Sequence, residues 1–278
     1  MQLFTIETGN FKLDGGAMFG VVPKSIWQKT NPADENNLCS LAMRSLLIED
    51  GDRLILVDTG IGNKQSDKFF SYYHLHGGYS LDSSLNSHGL SKDDITDVFL
   101  THLHLDHVGG AVERNEDNLT PTFRNATYWS NEKHWDWALH ANDREKASFL
   151  KENILPLQES GQLKFIKEEF SPFGDDLQIR FTYGHTEAMM LPLIKYKNQT
   201  IVFAADLFPT LGHLPVPYVA SYDIFPLTAM EEKKKFLQEA FDNNYILLLE
   251  HDALNECISL VETEKGFRAG DIFRLSDL

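Results

Sequence analysis

Three histidines and one aspartate fall within six residues at His102-Leu103-His104-Leu105-Asp106-His107, with Gly109-Gly110 just behind them. Imidazoles and carboxylates at this density are donors suited to zinc or a similar divalent metal. A tight loop can aim His102 and His104 to one side and Asp106 and His107 to the other, which provides for two ions rather than one. A chance H-x-H-x-D-H run is expected in about one chain in a thousand of this composition, so the signal is specific. The two glycines let the backbone turn closely behind such ligands. Residues of the same chemistry recur far away, as Asp58, His185, Asp206 and His251.

Such scattered residues can act together only if the fold gathers them. Short apolar runs alternate with turn residues and longer helical patterns, which predicts a mixed α/β domain. Strands are expected at Leu54–Val57, Val98–Leu100, Thr127–Trp129, Leu163–Ile166, Leu177–Tyr183, Leu191–Tyr196, Thr200–Ala204 and Tyr245–Leu249. Five of these lead directly or within two residues to a metal-binding or supporting side chain: Asp58, His102, His185, Asp206, and Glu250-His251-Asp252. Strand ends in α/β proteins gather at one sheet edge, where sites are built. Helices are expected at Asn131–Ala141, with Asn131 as N-cap, and at Arg144–Gln158 and Leu227–Asn243. Residues 62–88, dense in Phe, Tyr, His and Gly, read as a long loop. Within them, Phe69 to His76 suits a lid or a homodimer contact rather than a metal site, because His74-x-His76 lacks the Asp-His that follows His104. His134, Trp135, Trp137 and His140 read as helix packing and helix surface.

Composition narrows the function further. Twenty-five basic against forty-one acidic residues give a formal charge of −16. A chain this acidic repels phosphate backbones, so no nucleic-acid partner is expected. Two cysteines, Cys39 and Cys257, exclude a disulfide framework and a cysteine-rich zinc site. No leader-like or membrane-spanning apolar stretch is evident, which predicts a cytoplasmic protein with no membrane partner. No linker or repeat stands out, so residues 1–278 read as one domain.

The run His102-x-His104-x-Asp106-His107 resembles the signature of the metallo-β-lactamase superfamily. Val57-Asp58-Thr59-Gly60 before it, and Gly184-His185-Thr186, Ala205-Asp206 and Glu250-His251 after it, follow in that family's order. The resemblance implies an αββα four-layer sandwich, two sheets face to face with helices outside. It implies one metal held by His102, His104 and His185 and a second by Asp106, His107 and His251. Asp206 would bridge the two, and Asp58 would hold a ligand or its loop in place. Two divalent ions, zinc first among them, would then ionise a bridging water to a hydroxide that attacks a carbonyl or phosphoryl centre. Asp106 and Asp206 are the catalytic carboxylates of this scheme, and Asp206 orients the nucleophile or carries a proton. His104 stands where the family's di-iron oxygen reductases have Glu, which favours hydrolysis over redox chemistry.

Gly15 to Pro23, with Trp27, is similar to the N-terminal region of methyl parathion hydrolase-like and acyl-homoserine lactonase-like members. The expected substrate is a small ester, lactone or phosphotriester, with Phe19, His213, Tyr218 and Tyr222 as candidate contacts. Residues 15–23 read equally well as a core strand and turn. The lactonases often carry Tyr three residues after the bridging Asp, where this chain has Pro209. Tyr218 or Tyr222 would have to serve instead. Two alternatives share the ligand set. One is a glyoxalase II-like thioester hydrolase, for which the C-terminal region offers only Lys265, Arg268 and Arg274. The other is a non-catalytic metal-binding sensor of the same fold.

Overall fold

The structure is a computed structural model that describes residues 1–168 and 170–278. The described residues fall into two compact units. The first is Met1–Asn10 with Met43–Pro172, and the second is Phe11–Ala42 with Phe173–Leu278. Helices are α1 (Gly15–Phe19), α2 (Lys24–Trp27), α3 (Asp67–Ser71), α4 (Leu81–Ser87), α5 (Leu105–Val108), α6 (Glu132–Leu139), α7 (Lys151–Glu159) and α8 (Pro226–Asp242). Strands and helices are interspersed throughout, so the class is the mixed α/β that the sequence predicts.

Strands β1 (Gln2–Asp14), β2 (Leu38–Asp50), β3 (Arg53–Val57) and β4 (Asp97–Phe99) come first. They are followed by β5 (Val112–Asn115), β6 (Asn118–Pro121), β7 (Thr127–Ser130) and β8 (Leu163–Phe165). One six-stranded sheet has the order β1-β2-β3-β4-β7-β8, while β5 and β6 pair separately. Residues 11–14 of β1 and 38–42 of β2 belong to the second unit. In the first unit β2 runs antiparallel to β3, with Leu46 opposite Val57, and β3, β4, β7 and β8 are mutually parallel. Their C-terminal ends therefore share one edge, which is why Asp58 and Thr101-His102 emerge on the same side. The central strands are buried at Ile55–Val57, Asp97–Phe99 and Tyr128, mostly apolar as a covered sheet requires, whereas β8 at the edge is largely exposed. Leu56, Val98 and Tyr128 from the strands pack with Trp135 and Ala138 of α6 and Ile154 and Leu157 of α7. Asp97 is a charged residue buried within β4. Its carboxylate accepts from Arg53 at 2.6 and 3.0 Å, from Trp129 Nε1 at 2.8 Å and from Thr96 at 2.7 Å. Burial raises its pKa, but these donors outweigh that and hold it below the usual carboxylate value.

The second unit's sheet has β9 (Leu177–Thr182), β10 (Met189–Tyr196), β11 (Gln199–Phe203), β12 (Ile246–Leu248), β13 (Cys257–Thr263) and β14 (Gly266–Phe273). They lie in the order β14-β13-β12-β11-β10-β9. β11 and β12 are parallel, and β10 is antiparallel to both β9 and β11. β9, β11 and β12 thus point the same way, and each leads into one of the sequence-predicted residues: His185, Asp206 or His251. Helix α8 has Pro226 at its first turn and buries Ala229, Lys233, Phe236, Leu237 and Ala240, a stripe at helical spacing.

Several boundaries differ from expectation. Residues 62–88 contain α3 and α4, each opened by a serine side chain that accepts from a backbone N–H, Ser66 from Phe69 and Ser80 from Ser83. Gly15–Phe19 is a helical turn capped by Asp14, not a strand. In the region read as the helix Arg144–Gln158, only Lys151–Glu159 is α-helical, because Asn142 Oδ1 accepts from the N–H groups of Arg144 and Glu145 and makes a turn there. Among the described residues no helix is long and apolar enough to cross a membrane.

Candidate metal centre

In the first unit the site grows from the ends of β3 and β4. Asp58 follows β3 with a positive φ of 58°, a conformation that a non-glycine residue seldom adopts and that concentrates at functional sites. Its carboxylate is fully buried and accepts from Thr101 N at 2.8 Å, Thr101 Oγ1 at 2.6 Å and His107 Nδ1 at 3.0 Å. The Thr101 hydroxyl has a single proton, which goes to Asp58. Its oxygen, 3.1 Å from His102 Nδ1, must therefore accept from that nitrogen. His104 Nε2 lies 2.9 Å from Glu145 Oε1, so it too is the protonated nitrogen. The network assigns all three tautomers. The consequence is that His102 Nε2 and His104 Nδ1 carry lone pairs, and these face each other across 3.0 Å. Two electron-rich atoms at that distance need a cation between them, a proton or a metal ion.

The loop that holds these rings is backbone packed on backbone. Thr59 N and Oγ1 both donate to His107 O at 2.8 Å, and Gly110 N donates to Gly60 O. Lys64 Nζ donates to Gly109 O, and burial lowers this lysine to about 7. A Cβ on Gly109 would sit 2.5 Å from the Ile61 carbonyl carbon, one on Gly62 would sit 2.6 Å from Gly109 O, and one on Gly110 would strike Thr59 O. Behind the loop, Leu103 N donates to His134 Nε2. His74 and His76 lie in an exposed turn, with His76 Nδ1 on His74 O.

In the second unit, Gly184-His185 follows β9. Glu232 of α8 accepts from Tyr183 N at 2.7 Å and Gly184 N at 2.9 Å, gripping the end of the strand. His185 Nδ1 donates to Asp223 Oδ1 at 2.8 Å, which turns its Nε2 toward Asp206 Oδ2 at 3.0 Å. His251 Nδ1 donates to Ala42 O at 2.8 Å, which turns its Nε2 toward Asp206 Oδ1 at 3.1 Å. With both Nδ1 atoms acting as donors, each oxygen of Asp206 faces an imidazole lone pair, and again a cation is required at each. For His185, burial favours the neutral ring. The charge of Asp206 and hydrogen bonds to Asp206 and Asp223 outweigh it and push the group up to about 10. Ala205, just before Asp206, has φ 40°, a second strained residue beside a candidate ligand.

The remaining candidates are placed as follows. His213 is 1% exposed, with Nδ1 on Thr210 Oγ1 and Nε2 donating to Met18 O, both at 2.8 Å. Burial, with the nearby Lys233 ammonium, holds it down to about 3. Phe19, equally buried, stacks on His213 at 4.3 Å and on Trp27 at 5.3 Å. Both rings are engaged in packing. Tyr218 is half-buried and Tyr222 is exposed; Asp223 next to Tyr222 is the partner of His185. Sequence reading missed Glu145, Asp223 and Glu232. Their type is common on surfaces, and only the fold turns them inward.

Side chains suited to a metal ion occur in both units: His102, His104, Asp106 and His107 in the first, and His185, Asp206 and His251 in the second. A model of the metallo-β-lactamase superfamily matches residues 44–251. The chain belongs to that superfamily. A solved structure of a probable metal-dependent hydrolase from Staphylococcus aureus is 27% identical, with a TM-score of 0.89 over 98% of this chain and 96% of that one. AidC, a dizinc quorum-quenching lactonase solved in complex with a product, shares the fold at 22% identity and a TM-score of 0.79, over 96% and 93% of the two chains. The N-acyl homoserine lactonase AiiB of Agrobacterium fabrum is 27% identical over 117 residues, 39% of this chain. That match spans 42% of the lactonase's own length. The metallo-β-lactamase fold expected from the motifs is the fold of the chain.

Proposed function

We propose that the protein is a metal-dependent hydrolase of a small ester-like substrate, with lactone ring opening the first reaction to test. The observation that carries it is Asp206, whose two oxygens each face an imidazole nitrogen left with its lone pair. That arrangement suits two cations, one on each oxygen. His102, His104 and His185 would hold the first and Asp106, His107 and His251 the second, with Asp206 shared. When bound, a pair of divalent ions lowers the pKa of water toward neutrality and polarises a carbonyl or phosphoryl oxygen. The chain's own residues do the rest. Asp58, Thr101, Glu145, Asp223 and the Ala42 carbonyl fix which nitrogen of each histidine points inward, so no reorganisation is needed when charge develops. Asp206 is the carboxylate placed to move a proton to the leaving oxygen. Tyr218 and Tyr222 remain the candidates to contact substrate, since His213 and Phe19 are committed to each other. Lactonase names among the relatives favour a lactone over a thioester or phosphotriester.

A single hydrolase domain over residues 1–278, a cytoplasmic setting, a small-molecule substrate and a homodimer are parts of the same proposal. The test is a panel of lactones, aryl esters, phosphotriesters and thioesters on protein with measured metal content. Turnover of a lactone or ester that is lost on chelation and restored by zinc is the expected result. Bound metal with no turnover across the panel would favour the sensor reading.

A further inference from the structure

Glu145 is 3% exposed and makes contacts at both carboxylate oxygens. Oε1 accepts from His104 Nε2 at 2.9 Å, and Oε2 accepts from Trp137 Nε1 at 2.6 Å and lies 3.5 Å from Asn142 Nδ2. Its own backbone is pinned as well, because Asn142 Oδ1 accepts from Glu145 N at 3.1 Å and Glu145 O accepts from Ser148 N at 2.8 Å. Phe149 closes the far side, 4.9 Å from the His104 ring. A carboxylate so fixed dictates that the proton of His104 sits on Nε2. It thereby directs the Nδ1 lone pair toward His102 Nε2. The other rings are oriented by Thr101, Asp58, Asp223 or a backbone carbonyl, so His104 alone has its donor state set from the α6–α7 connection.

We propose that Glu145 is the positioning residue of one metal position only, the one that uses His104, and that Trp137 holds Glu145 for that task. The proposal rests on the metal-holding reading above. Removing the carboxylate lets His104 choose its tautomer and rotate. Such outer partners typically change metal affinity by about 10- to 100-fold. The position that uses His107, oriented by Asp58, is untouched.

The experiment measures zinc stoichiometry and affinity by competition with a chromophoric chelator, and the visible spectrum of the cobalt(II)-loaded protein. The variants are Glu145→Ala, Glu145→Gln and Glu145→Gln combined with Trp137→Phe. In Glu145→Ala, one of two zinc ions is expected to bind about 10- to 100-fold more weakly, with the other unchanged. Glu145→Gln keeps an acceptor for His104 but presents an amide donor to the Trp137 N–H. It should lose affinity at the same position and regain most of it when Trp137 becomes Phe. A wild-type chain that takes up no zinc sinks the metal reading itself. A wild type with two ions, together with either Glu145 variant binding both as tightly, overturns this inference alone. Equal weakening of both ions overturns it too, since that is the mark of general destabilisation. If Glu145→Ala does not fold, the Gln pair decides.

Discussion

Gly184 offers the sharpest test of how the fold positions a candidate ligand, His185. A Cβ built there lies 2.6 Å from Ala229 Cβ and nearer still to the Ala229 Cα and N of helix α8. Carbon atoms rest at about 3.5 Å or more, so Gly184→Ala requires a shift of about 1 Å. The obstacle is helix backbone, which cannot swing aside as a side chain would. Either α8 or the turn carrying His185 must move, against the Glu232 hydrogen bonds that tie the two together. Overpacking of this kind costs about 1–3 kcal/mol. For a chain of 278 residues that lowers the melting temperature by about 2–5 °C. A ligand displaced by about 1 Å loses on the order of 100-fold in turnover. The assay is a thermal melt of the metal-free chain beside zinc affinity and turnover on the best substrate. Gly78→Ala serves as control, because nothing lies within 4 Å of its added methyl. It should stay within about 0.5 kcal/mol of wild type. A Gly184→Ala protein that melts with wild type and keeps its turnover would refute the claim that α8 sets the position of His185.

Asp58→Ala strands three buried donors, from Thr101 N, Thr101 Oγ1 and His107 Nδ1. At about 1–3 kcal/mol per stranded group, denaturant unfolding should show a loss of several kcal/mol. A loss under about 1 kcal/mol would mean those bonds are weak. Asp97 gives a pH dependence. Its folded pKa lies below the ordinary 3.8, so its contribution is present above that value and is lost as pH falls through the folded pKa. The stability gap between wild type and Asp97→Asn should be flat from about pH 8 to pH 5 and shrink only below about pH 4, as followed by urea melts; a gap that shrinks between pH 8 and pH 6 would contradict the assignment.

The strands that reach the candidate site were legible because β3, β4, β11 and β12 are short, apolar on both faces and stopped by polar residues. β1 and β2 were not, because Gln2–Asp14 mixes polar and apolar residues without steady alternation and Leu38–Asp50 has Arg44 in its middle. Arg44 is accommodated by Glu7 at 2.7 Å, a partnership that only pairing across distant sequence reveals. The β13–β14 hairpin hides for another reason: its turn, Glu264-Lys265, and much of its exposed face are charged or polar. The candidate histidine and aspartate ligands of residues 102–107 announced themselves by density. The residues that orient them did not, because Glu145 and Asp223 stand in turns whose direction is set by tertiary contacts. The expected helix through Arg144 would have placed Glu145 on a regular spiral, whereas the Asn142 turn brings its carboxylate to His104.

The contact between residues 59–62 and 109–110 has a bearing on redesign of this scaffold. With main chain laid directly on main chain, no side chain there can be trimmed to admit a larger neighbour, so Gly62, Gly109 and Gly110 should be frozen in any mutagenic library. Variation introduced instead around Tyr218 and Tyr222, the proposed substrate contacts, would leave the floor beneath His107 undisturbed.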